Sequence, residues 1–193
     1  MKTDTTMSFV VRFDGVTGLS PDRKPIQRRL SQMKGMFADE ARRASLEAES
    51  DPLIYEFHEM GLPEDPGHVA FGTSIVYPGR VGDEYFMTKG HFHTILETGE
   101  VYYCLRGDGF MLMENPEGLT EAQPLKPGVA VYVPPRFAHR SVNVSAAERL
   151  ITFFAFRADA GHDYGTIETK GFRKLIVERD GRPEIVDNRR WGK

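Results

Sequence analysis

Short apolar runs, separated by turns rich in Gly, Pro and Asp, fill the chain from residue 51 onward. Many of these runs alternate apolar and polar side chains, as strands with one buried face do. Strands are therefore predicted over residues 53–57, 69–76, 85–87, 100–105, 109–113, 129–133, 140–144 and 150–156. A last hairpin is predicted over 175–186, with its turn at Asp180-Gly181. Short strands at near-regular spacing are typical of a sandwich or barrel, so the pattern predicts an all-β fold.

The first 50 residues follow a different pattern. A short strand is expected around residues 9–13, and 39–49 is predicted to be a helix that Asp39 can cap. No internal repeat or long linker divides the chain, which indicates one domain over 1–193. Within it, we expect a strand and helix extension at 1–50, the barrel core at 51–160, and a loop and hairpin at 161–193.

Composition narrows the function classes. The 193 residues are 40% hydrophobic and 27% charged, with a net charge of −3. This balance argues against a nucleic-acid surface, and no apolar run is long enough for a membrane span or signal peptide. The one cysteine, Cys104, cannot form an internal disulfide, which fits a cytoplasmic protein.

Three histidines and one glutamate stand out as candidate metal ligands. His91 and His93 are two residues apart, so on a strand both leave the same face. Glu100 opens the next apolar run after a turn at 98–99, and a hairpin is expected to bring it beside them. His139 follows the strand predicted at 129–133. Imidazoles with one carboxylate suit a divalent ion such as Fe, Mn, Ni or Zn. The competing interpretation, scattered half-exposed histidines, suits His58 and His68 better.

The spacing around these ligands resembles the paired signature of the cupin superfamily. Glu100 is followed by Gly107, and Gly128 leads to Pro134, His139 and Asn143. The gap between His93 and Glu100 is longer than in most cupins, and Tyr85 and Arg136 stand where the two motifs usually have glycine. The resemblance implies a double-stranded β-helix, or jelly-roll, barrel with a metal at its mouth.

The longer gap and the segment TKGHFH, at residues 88–93, resemble more closely the cupin-type phosphoglucose isomerases known from archaea and some bacteria. The similarity extends to DPLIYEFHEM, YPGRVGDEYF, YVPPRFAHRSVN, the segment at 158–166, and the ends GFRKLIVERDG and VDNRRW. It therefore covers nearly the whole chain.

The resemblance implies a role for each matching residue. The metal ligands would be His91, His93, Glu100 and His139, with Glu100 and His139 also catalytic. The sugar-phosphate site would be lined by Tyr55, Ser74, Thr88, Gly90, Tyr102, His162 and Tyr164. Arg136, Thr152 and Phe156 stand where archaeal members carry aromatic residues, and Arg136 could instead bind phosphate. One divalent metal per subunit, iron before Mn, Ni or Zn, and a homodimer are expected.

The implied reaction interconverts glucose 6-phosphate and fructose 6-phosphate, a step of glycolysis and gluconeogenesis. Hydrogen would move between C2 and C1 either through an enediol, with Glu100 as the base, or as a direct hydride shift. A cupin dioxygenase using Fe(II), an isomerase acting on mannose 6-phosphate and a non-catalytic sugar-phosphate-binding cupin remain as alternatives. Hydroxyl-bearing residues such as Thr88 and Ser74 favour the sugar phosphate over a dioxygenase substrate.

Overall fold

Antiparallel strands make up most of the fold. The structure, a computed structural model, describes residues 5–191. Its strands are β1 (Ile26–Arg29), β2 (Leu53–Glu59), β3 (Val69–Val76), β4 (Arg80–Val81), β5 (Glu84–Tyr85), β6 (Glu100–Arg106), β7 (Gly109–Glu114), β8 (Thr120–Leu125), β9 (Ala130–Val133), β10 (Ala138–Asn143), β11 (Leu150–Arg157), β12 (Lys174–Arg179) and β13 (Arg182–Asp187). The α-helices are α1 (Glu40–Ser50) and α2 (Gly165–Lys170), and a 3₁₀ turn spans Leu30–Met33.

The strands form three sheets. The largest has the order β1-β2-β3-β11-β6-β9, the second β10-β7-β8, and the third β13-β12-β5-β4. Backbone pairs at Met87–Val142 and His91–His139 attach the chain between β5 and β6 to strand β10. This attachment brings the segment that carries His91 and His93 to the second sheet, although the segment forms no regular strand itself.

Side-chain alternation along β6 shows how the core is built. Glu100, Tyr102 and Cys104 are buried, whereas Val101 and Tyr103 point outward and are exposed. Period-2 alternation of this kind places one face of a strand in the core and leaves the other toward solvent. The inward face of β6 therefore carries both packing residues and the carboxylate of the predicted metal site.

Helix α1 begins where the sequence predicts. The side chain of Asp39 accepts a hydrogen bond from the Arg42 N–H at 2.8 Å, satisfying one of the free donors at the helix start. The helix ends at Ser50, and the next residue, Asp51, has a φ of 39° that breaks the helical path. Arg43 turns inward and is held by Glu40, Glu47 and the Leu30 carbonyl. The contact with Leu30 attaches the helix to the body of the protein, whereas Glu40 and Glu47 belong to the helix itself and fix the Arg43 side chain.

Two local expectations are wrong. Residues 9–13 form no strand, because their backbone pairs with no neighbouring strand. The hairpin between the histidines and Glu100 is also absent: both edges of β6 are occupied, by β11 on one side and β9 on the other. The histidine segment instead reaches Glu100 through space, from the facing sheet.

The sequence did not predict strands β1 and β8, helix α2, the two-residue strand β4 or the 3₁₀ turn at Leu30–Met33. Strand β1 lies in a mixed, largely polar stretch, and β8 contains Pro124 and polar residues. Helix α2 lies in a segment that was expected to be a loop. Such elements carry little hydrophobic periodicity, so they depend on tertiary pairing. The other predicted strands and the terminal hairpin β12–β13 are confirmed within a few residues. Between residues 5 and 191, no helix has the length and apolar character needed to cross a membrane.

Candidate metal centre

The structure brings His91, His93, Glu100 and His139 into one buried cluster. Their candidate ligand atoms all lie within 4.8 Å of one another. Glu100 Oε2 is 2.9 Å from His139 Nε2 and 3.2 Å from His93 Nε2. Three imidazole nitrogens and one carboxylate oxygen facing a common point form a donor set for a divalent ion.

Backbone pairing fixes two of these histidines. The His91 N–H donates to the His139 carbonyl at 3.3 Å, and the His139 N–H donates back to the His91 carbonyl at 3.1 Å. Gly90 precedes this pair with a φ of +77°, and a Cβ there would lie 2.9 Å from the His139 carbonyl oxygen. Only glycine fits without displacing the strand, which explains its place beside His91.

Backbone carbonyl oxygens orient the imidazole rings of His93 and His139. His93 Nδ1 lies 3.4 Å from the Thr98 carbonyl, and His139 Nδ1 lies 3.4 Å from the Phe137 carbonyl. Because a carbonyl can only accept, the proton belongs on Nδ1 and the lone pair on Nε2, toward the cluster.

The cluster atoms have no hydrogen-bond partner of good geometry among residues 5–191: the Nε2 atoms of His91, His93 and His139, and Glu100 Oε2, are all buried and unsatisfied. Buried polar atoms normally find partners, so a convergent set without them indicates a site built for an ion. The residues present fit a divalent metal.

Charge in the cluster also suits a cation. Burial raises the pKa of Glu100, but the nearby His139, His93 and His91 outweigh it and hold that pKa below its ordinary value. Burial, with His139 and His162 nearby, lowers the pKa of His91 well below its usual range. At neutral pH the site therefore combines an anionic carboxylate with a neutral His91 imidazole, the protonation states that metal binding requires.

A cavity of about 550 Å³ opens onto the cluster. It is lined by Tyr55, Phe57, Glu59, Ser74, Thr88, Gly90, His91, Glu100, Tyr102, His139, Ser141, Phe154, Phe156, His162 and Tyr164. Every residue predicted to line the sugar-phosphate site is in this set except Arg136.

Arg136 lies elsewhere. Its guanidinium is on the surface, 2.6 Å from Glu117 and 3.6 Å from Glu97. It lies in a turn after β9, with a φ of +72°, and does not line the cavity. Of the other departures, Phe156 stacks on His93 with ring centroids 5.5 Å apart, and Thr152 is buried outside the cavity lining.

The segment at 158–166 covers the cluster. The Phe92 N–H donates to the Asp163 carbonyl at 3.1 Å, and the Asp163 N–H donates to the Phe92 carbonyl at 2.8 Å. The ring of His162 lies 4.4 Å from that of His91, and Tyr164 stacks on His162. This segment forms a wall of the cavity above the candidate ligands.

The hydroxyl groups of the cavity remain protonated. Burial raises the pKa of Tyr55 to about 12, and burial together with Glu100 raises the pKa of Tyr102 well above its ordinary value. Thr88 accepts a hydrogen bond from the Ser141 N–H at 3.1 Å. Neutral hydroxyls can donate to the oxygens of a polar ligand.

Sequence reasoning did not find Glu59, Ser141 or the phenylalanines of the lining other than Phe156. Glu59 had a detectable signal, since it stands two and four residues beyond Phe57 and Tyr55 on strand β2. Extending the alternation from Tyr55 by two steps would have placed it on the same inward face.

Comparison with known proteins identifies the family. Residues 27–190 match the family model described as glucose-6-phosphate isomerase (GPI). The chain belongs to this glucose-6-phosphate isomerase family. It is 47% identical to the glucose-6-phosphate isomerase of Pyrococcus abyssi over 181 residues, 94% of this chain and 95% of the relative. The enzyme of that name from Sinorhizobium medicae is 39% identical over 170 residues, 86% of this chain and 79% of the relative.

The fold has distant relatives as well. An oxalate oxidase solved in complex with the substrate analogue glycolate superimposes with a TM-score of 0.50 at 13% identity, covering 63% of this chain and 60% of that chain. At this identity the similarity concerns the fold alone, and it confirms the all-β cupin architecture. Membership of the isomerase family does not favour a dioxygenase or a non-catalytic binding protein.

Proposed function

We propose that this protein is a metal-dependent aldose–ketose isomerase that interconverts glucose 6-phosphate and fructose 6-phosphate. The observation that carries the proposal is the buried cluster of three histidines and one glutamate, which opens onto a hydroxyl-lined cavity in a member of this family. The reaction belongs to glycolysis and gluconeogenesis.

The phosphate group would be held by neutral donors. Tyr55, Ser74 and Thr88 offer hydroxyls to the cavity, and Gly90 lets the backbone approach a ligand closely. No Lys or Arg is among the described residues that line the cavity. Binding would then rely on directed hydrogen bonds, and Arg136, on the surface, would take no part in it.

His91, His93, Glu100 and His139 would hold one divalent metal, with iron as the proposed ion before Mn, Ni or Zn. When bound, such an ion supplies Lewis-acid stabilisation of the negative charge that develops on the sugar oxygens O1 and O2. His162, Tyr102 and Tyr164 would orient the open-chain sugar from the walls and exclude water from it.

Two routes for the hydrogen between C2 and C1 remain to be separated. Glu100 can remove the C2 proton and return it to C1, or it can serve as a ligand while a hydride moves directly, with His139 beside it in both. The first route exchanges hydrogen with solvent. Incorporation of solvent deuterium at C1 or C2 would exclude a purely direct shift.

A homodimer in the cytoplasm is part of the proposal. Val101, Tyr103 and Tyr132 are 42%, 43% and 59% exposed on adjacent strands β6 and β9, where they form an apolar surface that a second copy can cover. Cys104 is a free, buried thiol, which supports a reducing compartment. Sedimentation equilibrium of wild type and Tyr132→Glu tests the dimer.

The decisive experiment measures conversion of fructose 6-phosphate to glucose 6-phosphate. Protein stripped with EDTA is reloaded separately with Fe(II), Mn, Ni and Zn, and His93→Ala is compared with His68→Ala, a histidine outside the cluster. We expect activity to vanish when the metal is stripped and to return with one or two of the metals. His93→Ala should lose both activity and bound metal, whereas His68→Ala should keep both. Absence of turnover with every metal, despite measured binding, would refute the proposed reaction. Oxygen uptake in the same samples would point to the dioxygenase alternative.

A further inference from the structure

Strand β2 ends in a carboxylate that faces the cavity. Tyr55, Phe57 and Glu59 occupy alternate positions of β2, and all three line the cavity above the metal cluster. Alternation puts such residues on one face of a strand. Aromatic side chains fill the first two positions, so the glutamate at the third is an acidic group on an otherwise apolar interior face.

No protein group neutralises the Glu59 side chain. Among residues 5–191 it forms neither a hydrogen bond nor an ion pair, and neither cavity that it lines contains a Lys or Arg. The titratable groups that line these cavities or act electrostatically on Glu59 are acids, phenols and imidazoles: Glu64, Tyr55, Glu100, Tyr102, His91, His139, His162 and Tyr164.

This surrounding favours the neutral form of the carboxyl group. Burial, and after it the negative charge of Glu100, raises the pKa of Glu59 to about 7. A cation bound at the cluster would lower that value and the substrate's phosphate would raise it. The group therefore titrates near the pH at which a general acid–base works best.

Glu59 also separates two cavities. It lines the metal cavity and a second cavity of about 410 Å³ that is bounded by the exposed residues Gly61 and Glu64. His162 and Phe156 share this boundary position. A carboxyl group at such a boundary can exchange its proton with water on the outer side while it faces the substrate on the inner side.

The proposed reaction moves a proton between two oxygens as well as a hydrogen between two carbons. Converting open-chain glucose 6-phosphate to fructose 6-phosphate moves one hydrogen from C2 to C1 and one proton from O2 to O1. The second transfer is needed whether the first proceeds through an enediol or as a hydride shift. Glu100 lies among His93 and His139 within the cluster, which leaves Glu59 as the other carboxyl group of the cavity.

We propose that Glu59 carries the proton between O2 and O1 of the sugar, an inference that rests on the proposed isomerase function. The O2–H bond breaks as the C2 carbonyl forms, and Glu59 takes that proton. Glu59 gives a proton to O1 as the C1 carbonyl becomes a hydroxyl. The carboxyl group ends each turnover in the protonation state in which it began, so the step needs no oxidant, reductant or other reactant.

The test compares Glu59→Gln with Glu64→Gln, whose glutamate lines only the outer cavity. For Glu59→Gln we expect kcat to fall about 100-fold, the typical contribution of a general acid–base, with KM and metal content unchanged. The kcat–pH profile should lose its limb at or below pH about 7. Glu64→Gln should keep the wild-type kcat and retain the limb, moved to slightly lower pH because the charge of Glu64 raises the pKa of Glu59. Glu59→Asp should regain part of kcat and the limb.

Infrared spectra of the metal-free protein give a readout that does not depend on turnover. The neutral carboxyl band that titrates near pH 7 should lose amplitude in Glu59→Gln and keep it in Glu64→Gln. A raised KM with unchanged kcat, a retained pH limb or loss of bound metal in Glu59→Gln would each overturn the proton-carrier role. Absence of isomerisation by the metal-loaded wild type would instead refute the proposed function, so the two failures are distinguishable.

Discussion

Replacing Glu84 by glutamine is expected to stabilise the protein above neutral pH and to change its stability little near pH 5. Glu84 lies on β5 with only 2% of its surface exposed. Its Oε2 accepts a hydrogen bond from the Ala38 N–H at 2.8 Å, whereas its Oε1 is buried and unsatisfied among the described residues. Burial raises the pKa of this carboxyl group from 4.5 to about 7, against the opposing effects of Ala38 and Arg140.

The sign and size of the effect follow from this pKa. Because the folded-state pKa is raised, the native state binds the proton more tightly than the unfolded chain. The resulting stability is fully present below pH about 4.5 and is lost as the pH rises through about 7. The shift of about 2.5 pKa units corresponds to about 3 kcal/mol, at 1.36 kcal/mol per unit. Glutamine resembles the neutral carboxyl group at every pH and avoids this loss.

Thermal unfolding of metal-free wild type and Glu84→Gln, at several pH values between about 5 and 8, measures the effect. For a chain of this size, about 3 kcal/mol corresponds to a difference in Tm of about 6–12 °C at the upper pH. Chelated protein is used so that protonation of the metal ligands does not enter through metal affinity. Glu184→Gln, an exposed glutamate on β13, is the control and should show no such trend. A Tm difference between wild type and Glu84→Gln that does not vary with pH would refute the reasoning.

Two further substitutions test the walls of the site. Gly90→Ala should lower the free energy of unfolding by on the order of 3 kcal/mol and weaken metal binding, because the new Cβ would lie 2.7 Å from Phe172 and 2.9 Å from the His139 carbonyl oxygen. The control Gly128→Ala, with a φ of +87° and open space around it, should cost only about 1 kcal/mol. Equal losses of stability for the two variants in denaturant unfolding would contradict the clash at Gly90. Thr88→Val should raise KM for the sugar phosphate more than it lowers kcat, with Thr88→Ser near wild type, since the hydroxyl is assigned to phosphate binding. An unchanged KM for Thr88→Val in steady-state kinetics would remove Thr88 from that role.

Local signals in the chain were enough to predict many elements. Helix α1 could be predicted because Asp39 caps it through a contact three residues away, and the strands with clear alternation could be predicted because period 2 reflects one buried face. Strands β1 and β8 and helix α2 could not, because each is short and polar and is held by its neighbours. Residue type and spacing supplied the four candidate metal ligands, the family resemblance implied their roles, and the geometry of the cluster fits that prediction.

The route by which the candidate ligands meet could not be read from the chain. A hairpin was expected between His93 and Glu100 because they are near in sequence, yet Glu100 lies on a strand with both edges paired and meets the histidines across the barrel. For a similar reason, the sequence did not show that Arg136 lies outside the cavity or that Glu59 lines it. Each depends on which face of the barrel a residue occupies, a long-range property.

By itself, the sequence determined the all-β class, the capped helix α1, the hairpin β12–β13 and the set of residues able to bind a metal. These depend on local periodicity, capping and side-chain chemistry, which are present in the chain before it folds. Only the tertiary structure decided that His91 pairs with His139, that the four candidate ligands share one buried point, and that Glu59 stands between two cavities. Those outcomes arise from strand pairing and packing between residues far apart in the chain, where burial and neighbouring charges set the chemistry of each group.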